Sequence, residues 1–192
     1  MLRILVVVAG ALGLLSGCSG GLKTARLVNE PLARGARVAV LPFENLSGQE
    51  GASAKLAEYF VLSLQSRKTL DILQDGQVYE QLRRFRIRSA TLMTNAQIDS
   101  LCAAMSVAYV VVGSVLEYNE TDNPYLGKIP QVSMNVRLIE CAGYKTVWTG
   151  VVNARGDQSE WVFGLGAVRS LDELARSAAD RAASDLSAMF AR

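Results

Sequence analysis

The chain has 192 residues, with 20 lysines and arginines, 18 aspartates and glutamates and no histidine, for a net charge of +2. So even a balance is not the basic footprint of a nucleic-acid binder. The lack of histidine removes the commonest general base, the usual zinc ligand and any Ser-His triad.

Hydrophobic residues make up 50% of the chain, a share inflated by its amino terminus. After Arg3, Ile4 to Leu15 run apolar or small without a break. Such a run is too short to span a bilayer comfortably and fits the core of a secretory signal. Leu15-Ser16-Gly17-Cys18 closes it, and the small residues let an extended backbone enter a peptidase cleft. This ending resembles a bacterial lipobox. The resemblance implies diacylglycerol on the Cys18 sulfur, cleavage after Gly17 and acylation of the new amino group. An ordinary signal peptide or start-transfer helix with a chance cysteine is the competing reading. Three acyl chains, at about 0.8 kcal/mol per buried methylene, would anchor the protein firmly.

The expected organisation is a signal peptide over 1–17, a lipidated cysteine and flexible tether over 18–36, and a single domain over 37–192. Loss of Arg3 leaves 19 basic and 18 acidic side chains, and no second apolar run reaches eighteen residues. The domain is long enough to bury a core without a metal or disulfide. In the tether, Gly20-Gly21 and Pro31 discourage regular structure. Eighteen residues, Ser19 to Ala36, reach at most about 60 Å.

Arg37 to Phe43 reads as a buried strand stopped by Pro42. Ser53 to Arg67 has helical spacing, with Leu56, Phe60, Val61 and Leu64 on one side. Thr69 to Gln74 is a short strand, and Asp75 is placed to cap a helix striped by Val78, Leu82 and Phe85. Thr94 and Gln97 resemble a capping box opening the Ile98–Met105 helix. Ala108 to Tyr118 is the most strand-like stretch, and Asn119 to Pro130, with two prolines and a glycine, reads as a loop. Gln131–Glu140 and Lys145–Ala154 form a hairpin with one buried face. Arg155 to Arg169 is irregular, and Ser170 with Glu173 opens a last helix striped by Leu171, Leu174, Ala178, Leu186 and Met189. The order β-α-β-α-α-β-β-β-α predicts an α+β sandwich, a mixed sheet of about five strands packed with helices.

Val38-Ala39-Val40-Leu41-Pro42-Phe43-Glu44-Asn45-Leu46-Ser47 resembles the opening strand of a group of envelope proteins. That group includes the curli-secretion lipoprotein, the lipoprotein activator of penicillin-binding proteins and the amino-terminal domain of the TolB translocation protein. Ala108 to Val115 resembles the group's strand after the third helix, and Val136–Glu140 with Val147–Gly150 its hairpin. The resemblance implies envelope proteins that oligomerise or bind other proteins, without cofactors. Pore-forming members carry extra hairpins of about 9–11 alternating residues per strand, which Asn119–Pro130 is too short to supply. The synthase activators carry a long tether, which is short here.

The residues carry no catalytic or metal-ligating constellation. Gly17-Cys18-Ser19-Gly20-Gly21 fits a nucleophile elbow by letter but follows no sheet strand. Gly164-Leu165-Gly166 lacks the rest of a dinucleotide loop. Glu44, Glu117, Glu120 and Asp122 have no acid-base spacing and read as loop carboxylates. Cys102 and Cys141 would face an oxidising periplasm and are either a disulfide or, for Cys102, a buried thiol. Arg83, Arg84, Arg86 and Arg88 form a charge cluster that could hold phosphate headgroups or an acidic partner, or simply be a solvated helix face. Trp148, expected on the outer face of its strand, and Trp161 and Phe163, in the segment after the hairpin, are candidate partner contacts. The expected protein is non-enzymatic, without cofactor, lipid-anchored through Cys18 to the outer membrane and facing the periplasm. It would act as an assembly or interaction module of the envelope, with envelope proteins or further copies of itself as partners. A synthase activator or a secretion-channel subunit is the alternative.

Overall fold

β-branched residues crowd Val38–Val40 and Val110–Val112, and short strands of this kind are stable only when both faces are covered. The computed structural model describes residues 21–158 and 166–190. Its elements are β1 (Leu22–Arg26), β2 (Arg37–Val40), β3 (Glu44–Asn45), α1 (Ala52–Arg67), β4 (Asp71–Ile72), α2 (Asp75–Arg84), α3 (Asn95–Met105), β5 (Tyr109–Asn123), β6 (Gly127–Glu140), β7 (Lys145–Arg155) and α4 (Leu171–Ser187). They form one seven-stranded mixed sheet in the order β1-β7-β6-β5-β2-β4, with β3 pairing β5. β2 lies parallel to β4 and β5, while β5, β6, β7 and β1 pair antiparallel.

The sheet divides the interior. On one face Val38, Val40, Val111, Val136 and Leu138 pack with Leu56, Phe60 and Leu64 of α1 and with α4. Five alanines of α4, at 175, 178, 179, 182 and 183, are fully covered, so its backbone lies close to its neighbours. On the other face Ala39, Leu41, Val110 and Val112 meet Val78 and Leu82 of α2 and Ile98, Leu101 and Met105 of α3. The expected α+β architecture is the observed one. Thr94 and Gln97 make the reciprocal capping box of α3. α2, by contrast, begins at Asp75 itself, behind Gln74, and has no side-chain cap.

Three segments differ from expectation, and the sheet has seven strands where about five were expected. The smallest is β3, where Glu44, read as a loop carboxylate, pairs in parallel with Ser114 of β5. Leu22–Arg26, read as tether, pairs with β7 from Leu22↔Val152 to Arg26↔Trp148. The physical reason is the open edge of β7, whose backbone groups need partners. Lys23 to Arg26 bury little of themselves, so no apolar alternation announced the strand. Leu27 and Leu32 continue the attachment, donating backbone bonds to Val147 and Met189 at 2.9 and 2.7 Å. Asn119–Pro130, read as a loop, is mostly ladder: β5 and β6 stay paired to Asn123↔Gly127. Pro130 lies just beyond the last β6–β7 pair, Gln131↔Arg155, where a missing N–H removes no bond to β7.

Cys102 and Cys141 are joined in a disulfide, their Cα atoms 6.1 Å apart and 39 residues apart in sequence. It fastens α3 to the β6–β7 turn, where the Tyr144 hydroxyl also donates to Asp99 at 3.1 Å. Closing a loop of about 40 residues removes entropy from the unfolded chain worth roughly 3–4 kcal/mol. Reduction, or Cys141→Ser, should lower the unfolding free energy by about that amount in a denaturant titration. Equal midpoints with and without reductant would show that the bridge contributes nothing.

Candidate interaction surface

Pro42 ends β2, and the chain then lays Phe43 onto the sheet at Gly113. A Cβ on Gly113 would stand 2.8 Å from the Phe43 ring, so glycine makes room for it. Phe43 also meets Phe60 of α1 with ring centroids 5.7 Å apart. The next residue, Glu44, accepts hydrogen bonds from the Ser89 and Thr91 hydroxyls. These bonds, helped by nearby Arg137, hold its carboxyl below the usual carboxylate range. Glu44, read from the sequence as a carboxylate solvating a loop, therefore does more than that. It pins the segment between α2 and α3 across the end of β2.

Two adjoining hollows result. One, of 390 Å³, opens between α1 and α2 with Glu58 and Asp75 among its lining residues. The other, of 380 Å³, lies under the end of α2 with Arg83 and Arg88 on its wall. Pro42, Phe43 and Tyr79 line both. The floor is apolar, one end acidic and the other basic.

The basic end holds the arginine cluster. Arg83 and Arg84 occupy the last turn of α2, where positive charge complements the helix dipole. Arg86 has φ 53° and closes the helix in a left-handed turn. Its N–H donates to the Arg83 carbonyl, and that of Ile87 to the Leu82 carbonyl, the pairing in which glycine is usual at the left-handed position. All four side chains, Arg88 included, are exposed. Among the described residues none has a carboxylate within 4.0 Å; Arg84 lies 5.8 Å from the centroid of the Phe85 ring.

Trp148 is not on the surface. It is fully buried, and its indole Nε1 donates to Asp185 of α4 at 2.7 Å. A register shift between β6 and β7 pairs Leu138 with Trp148 and Ile139 with Thr146. This bulge turns both Val147 and Trp148 into the core, where strict alternation would put them on opposite faces. Gly150 completes the niche, since a Cβ there would lie 2.5 Å from the indole. Cys18, Trp161 and Phe163 lie outside the described residues. Arg155 pairs with Asp157 at 3.1 Å, and Arg169 donates to the Leu126 carbonyl at 2.9 Å.

Sequence reasoning missed Tyr125, which is 94% exposed at the turn joining β5 and β6. A single tyrosine among polar and proline residues gives no periodic signal. The turn beneath it is built: Asn123 Oδ1 accepts from the N–H groups of Tyr125 and Leu126 at 2.9 and 3.1 Å. Among the described residues no group of three or more His, Cys, Asp or Glu could hold a metal ion, and no helix is long and apolar enough to cross a membrane.

The α1–α4 contact carries a polar pin. Asp172 accepts from the Tyr59 hydroxyl at 2.5 Å and from Arg176 at 3.1 Å, and lies 3.2 Å from Lys55. Bonds from Tyr59, then Arg176 and Lys55, hold its carboxyl at about 2, below the ordinary 3.8.

This fold is shared with proteins of known structure. Two crystal forms of the PelC dodecamer from Paraburkholderia phytofirmans superpose with TM-scores of 0.57 and 0.61 at 19% identity, covering 89% and 90% of this chain and 99% of that one. The lipoprotein GNA1162 from Neisseria meningitidis gives 0.53 at 19% identity, over 62% of this chain and 82% of its own. The hypothetical protein CT253 from Chlamydia trachomatis gives 0.56 at 12% identity, over 81% and 98%. No family model and no curated protein matches the chain. The resemblance to envelope lipoprotein domains, drawn from Val38–Ser47, Ala108–Val115 and the hairpin, thus holds at the level of the fold.

Asp172 sets a pH dependence. Its folded-state value is depressed, so its contribution is full above 3.8 and disappears as pH falls toward about 2. Between pH 4 and 2 the wild-type thermal midpoint should therefore fall more steeply than that of Asp172→Asn. Parallel profiles would mean that the carboxylate's partners do not favour its charge.

Proposed function

We propose that this protein is a lipid-anchored accessory of the bacterial envelope that acts by assembling with further copies of itself and with envelope proteins, without catalysis. The observation that carries this is the correspondence of the fold along nearly the whole of PelC, which crystallises as a dodecamer. The surface supports it: an apolar groove with rims of opposite sign and an arginine cluster that has no carboxylate partner among the described residues suit protein contacts. Cys18, in its lipobox context, supplies the anchor, on the periplasmic side of the outer membrane. Because Leu22 already belongs to the sheet, only Ser19 to Gly21 separate it from Cys18. At up to about 3.6 Å per residue the anchor lies within roughly 15 Å of the sheet, a reach suited to a component seated on its membrane. The part of the β5–β6 hairpin beyond β3 carries Glu117, Glu120, Asp122 and Lys128, with Glu117 and Glu120 on opposite faces of the strand, which argues against a lipid-facing barrel hairpin.

The reading makes two measurable demands. Cys18→Ala should leave an uncleaved precursor in the inner membrane, and normal maturation of the variant would remove the anchor from the proposal. Two differently tagged full-length copies, co-expressed and crosslinked in membranes, should recover each other through either tag. Recovery of single copies alone would overturn self-assembly.

A further inference from the structure

We infer that the β5–β6 hairpin tip of one copy docks in the Pro42–Tyr79 groove of a second copy, with Tyr125 as the inserted side chain and the α2-end arginines gripping the acidic hairpin. This deepens the assembly reading above and rests on it.

The first ground is a knob that the fold holds out and leaves uncovered. Tyr125 is 94% exposed. Its turn is fixed by Asn123, by Arg169 on the Leu126 carbonyl and by Gly127 at φ 75°. Further down the hairpin, the Gly156 N–H donates to the Pro130 carbonyl at 2.9 Å. An aromatic presented on a braced turn loses little freedom when it is buried, which makes it an efficient anchor.

Charge complementarity is the second ground. The hairpin carries Glu117, Glu120 and Asp122, all exposed, against the lone Lys128, which lies 3.7 Å from Glu120. Among the described residues Glu117 and Asp122 have no cation within 4.0 Å. The groove's basic end is the mirror image: Arg83 and Arg88 stand on its wall and Arg84 and Arg86 flank them in sequence, all four exposed, while Glu44, on the same wall, is occupied by Ser89 and Thr91. Arginine with carboxylate across an apolar floor is the pairing that gives both specificity and grip.

Distance decides that the occupant is another molecule. Glu44, beside the groove, registers against Ser114 of β5. Tyr125 lies eleven residues further on, at the far end of the ladder. At roughly 3.3 Å per residue the two stand about 30 Å apart on one rigid strand pair, so a chain cannot fill its own groove. A contact between two different patches is heterologous and repeats from copy to copy, closing into a ring when its rotation permits.

Arg86 permits a separating variant. Glycine fits its left-handed backbone better than arginine does. Arg86→Gly should therefore raise the thermal midpoint and still weaken self-association.

The test uses the full-length chain in membranes, with a photo-crosslinking amino acid at position 125 and two tags for co-purification. The expected result is an adduct between copies that maps to residues 79–90 or to Pro42–Phe43. Tyr125→Ser and Arg86→Gly should each reduce recovery of the second tag tenfold or more. If tagged copies recover each other but the adduct maps elsewhere, to another protein or to lipid, the docking mode is wrong and assembly stands. Should tagged copies fail to recover each other at all, both readings fall. Full recovery of the second tag by Tyr125→Ser would overturn the docking mode alone.

Discussion

Every other element takes its position from the β5–β6 ladder. β5 lends one edge to β2 and β3 and the other to β6, and β6 carries β7 and, through it, β1. Consecutive valines of β5 point alternately into the two halves of the core: Val111 toward α1 and α4, Val110 and Val112 toward α2 and α3. A one-residue slip would exchange the halves and expose both helical layers to the wrong partners. The ladder is closed by a short turn, so it forms from neighbours in sequence. The parallel pairing of β2 with β5 instead closes across three helices and must await them.

The helical layers are set in register by polar contacts more than by shape. The alanine-rich face of α4 has few protrusions, and three aspartates along that helix index it. Asp172 engages Tyr59, Asp180 accepts from Ser63 and Arg67, and Asp185 accepts from Trp148 and Arg26. Apart from the bond of the buried Trp148 indole, pairs this exposed add little stability singly. Their value is that a smooth helix has one angular setting satisfying all three. The opposite layer is indexed covalently, through Cys102 and Cys141.

The legible parts of the fold were those in which period and burial agree. The strands around Val38 and Val111, short apolar runs buried on both faces, the strand around Val136, with its alternation, and the helices striped by Phe60, Ile98 and Leu186 could be read directly. Trp148 could not, since a bulge in the β6–β7 pairing breaks the alternation that the reading used. β1 could not either, because its cause is an unpaired edge more than 120 residues away in sequence. Asn119–Pro130 reads as a loop by composition and is held as a ladder by its neighbour. Of the candidate surface, the arginines were visible as a cluster. The groove was not, because its floor and walls come from β2, α1 and α2 and meet only in space. Its partner in the proposed contact, Tyr125, was invisible because nothing in its vicinity is periodic.

The β1–β7 pairing also gives the protein a mechanical character. With Cys18 held by lipid, as proposed, any pull between membrane and domain is delivered first to the Leu22–Val152 pair and then shared along five registered positions. The tension is spread over a strip of backbone bonds at one side of the sheet, away from α2, α3 and the arginine groove. Detachment would therefore begin as a peeling of that strip. The far half of the fold, with its disulfide, would stay undisturbed until the strip had gone.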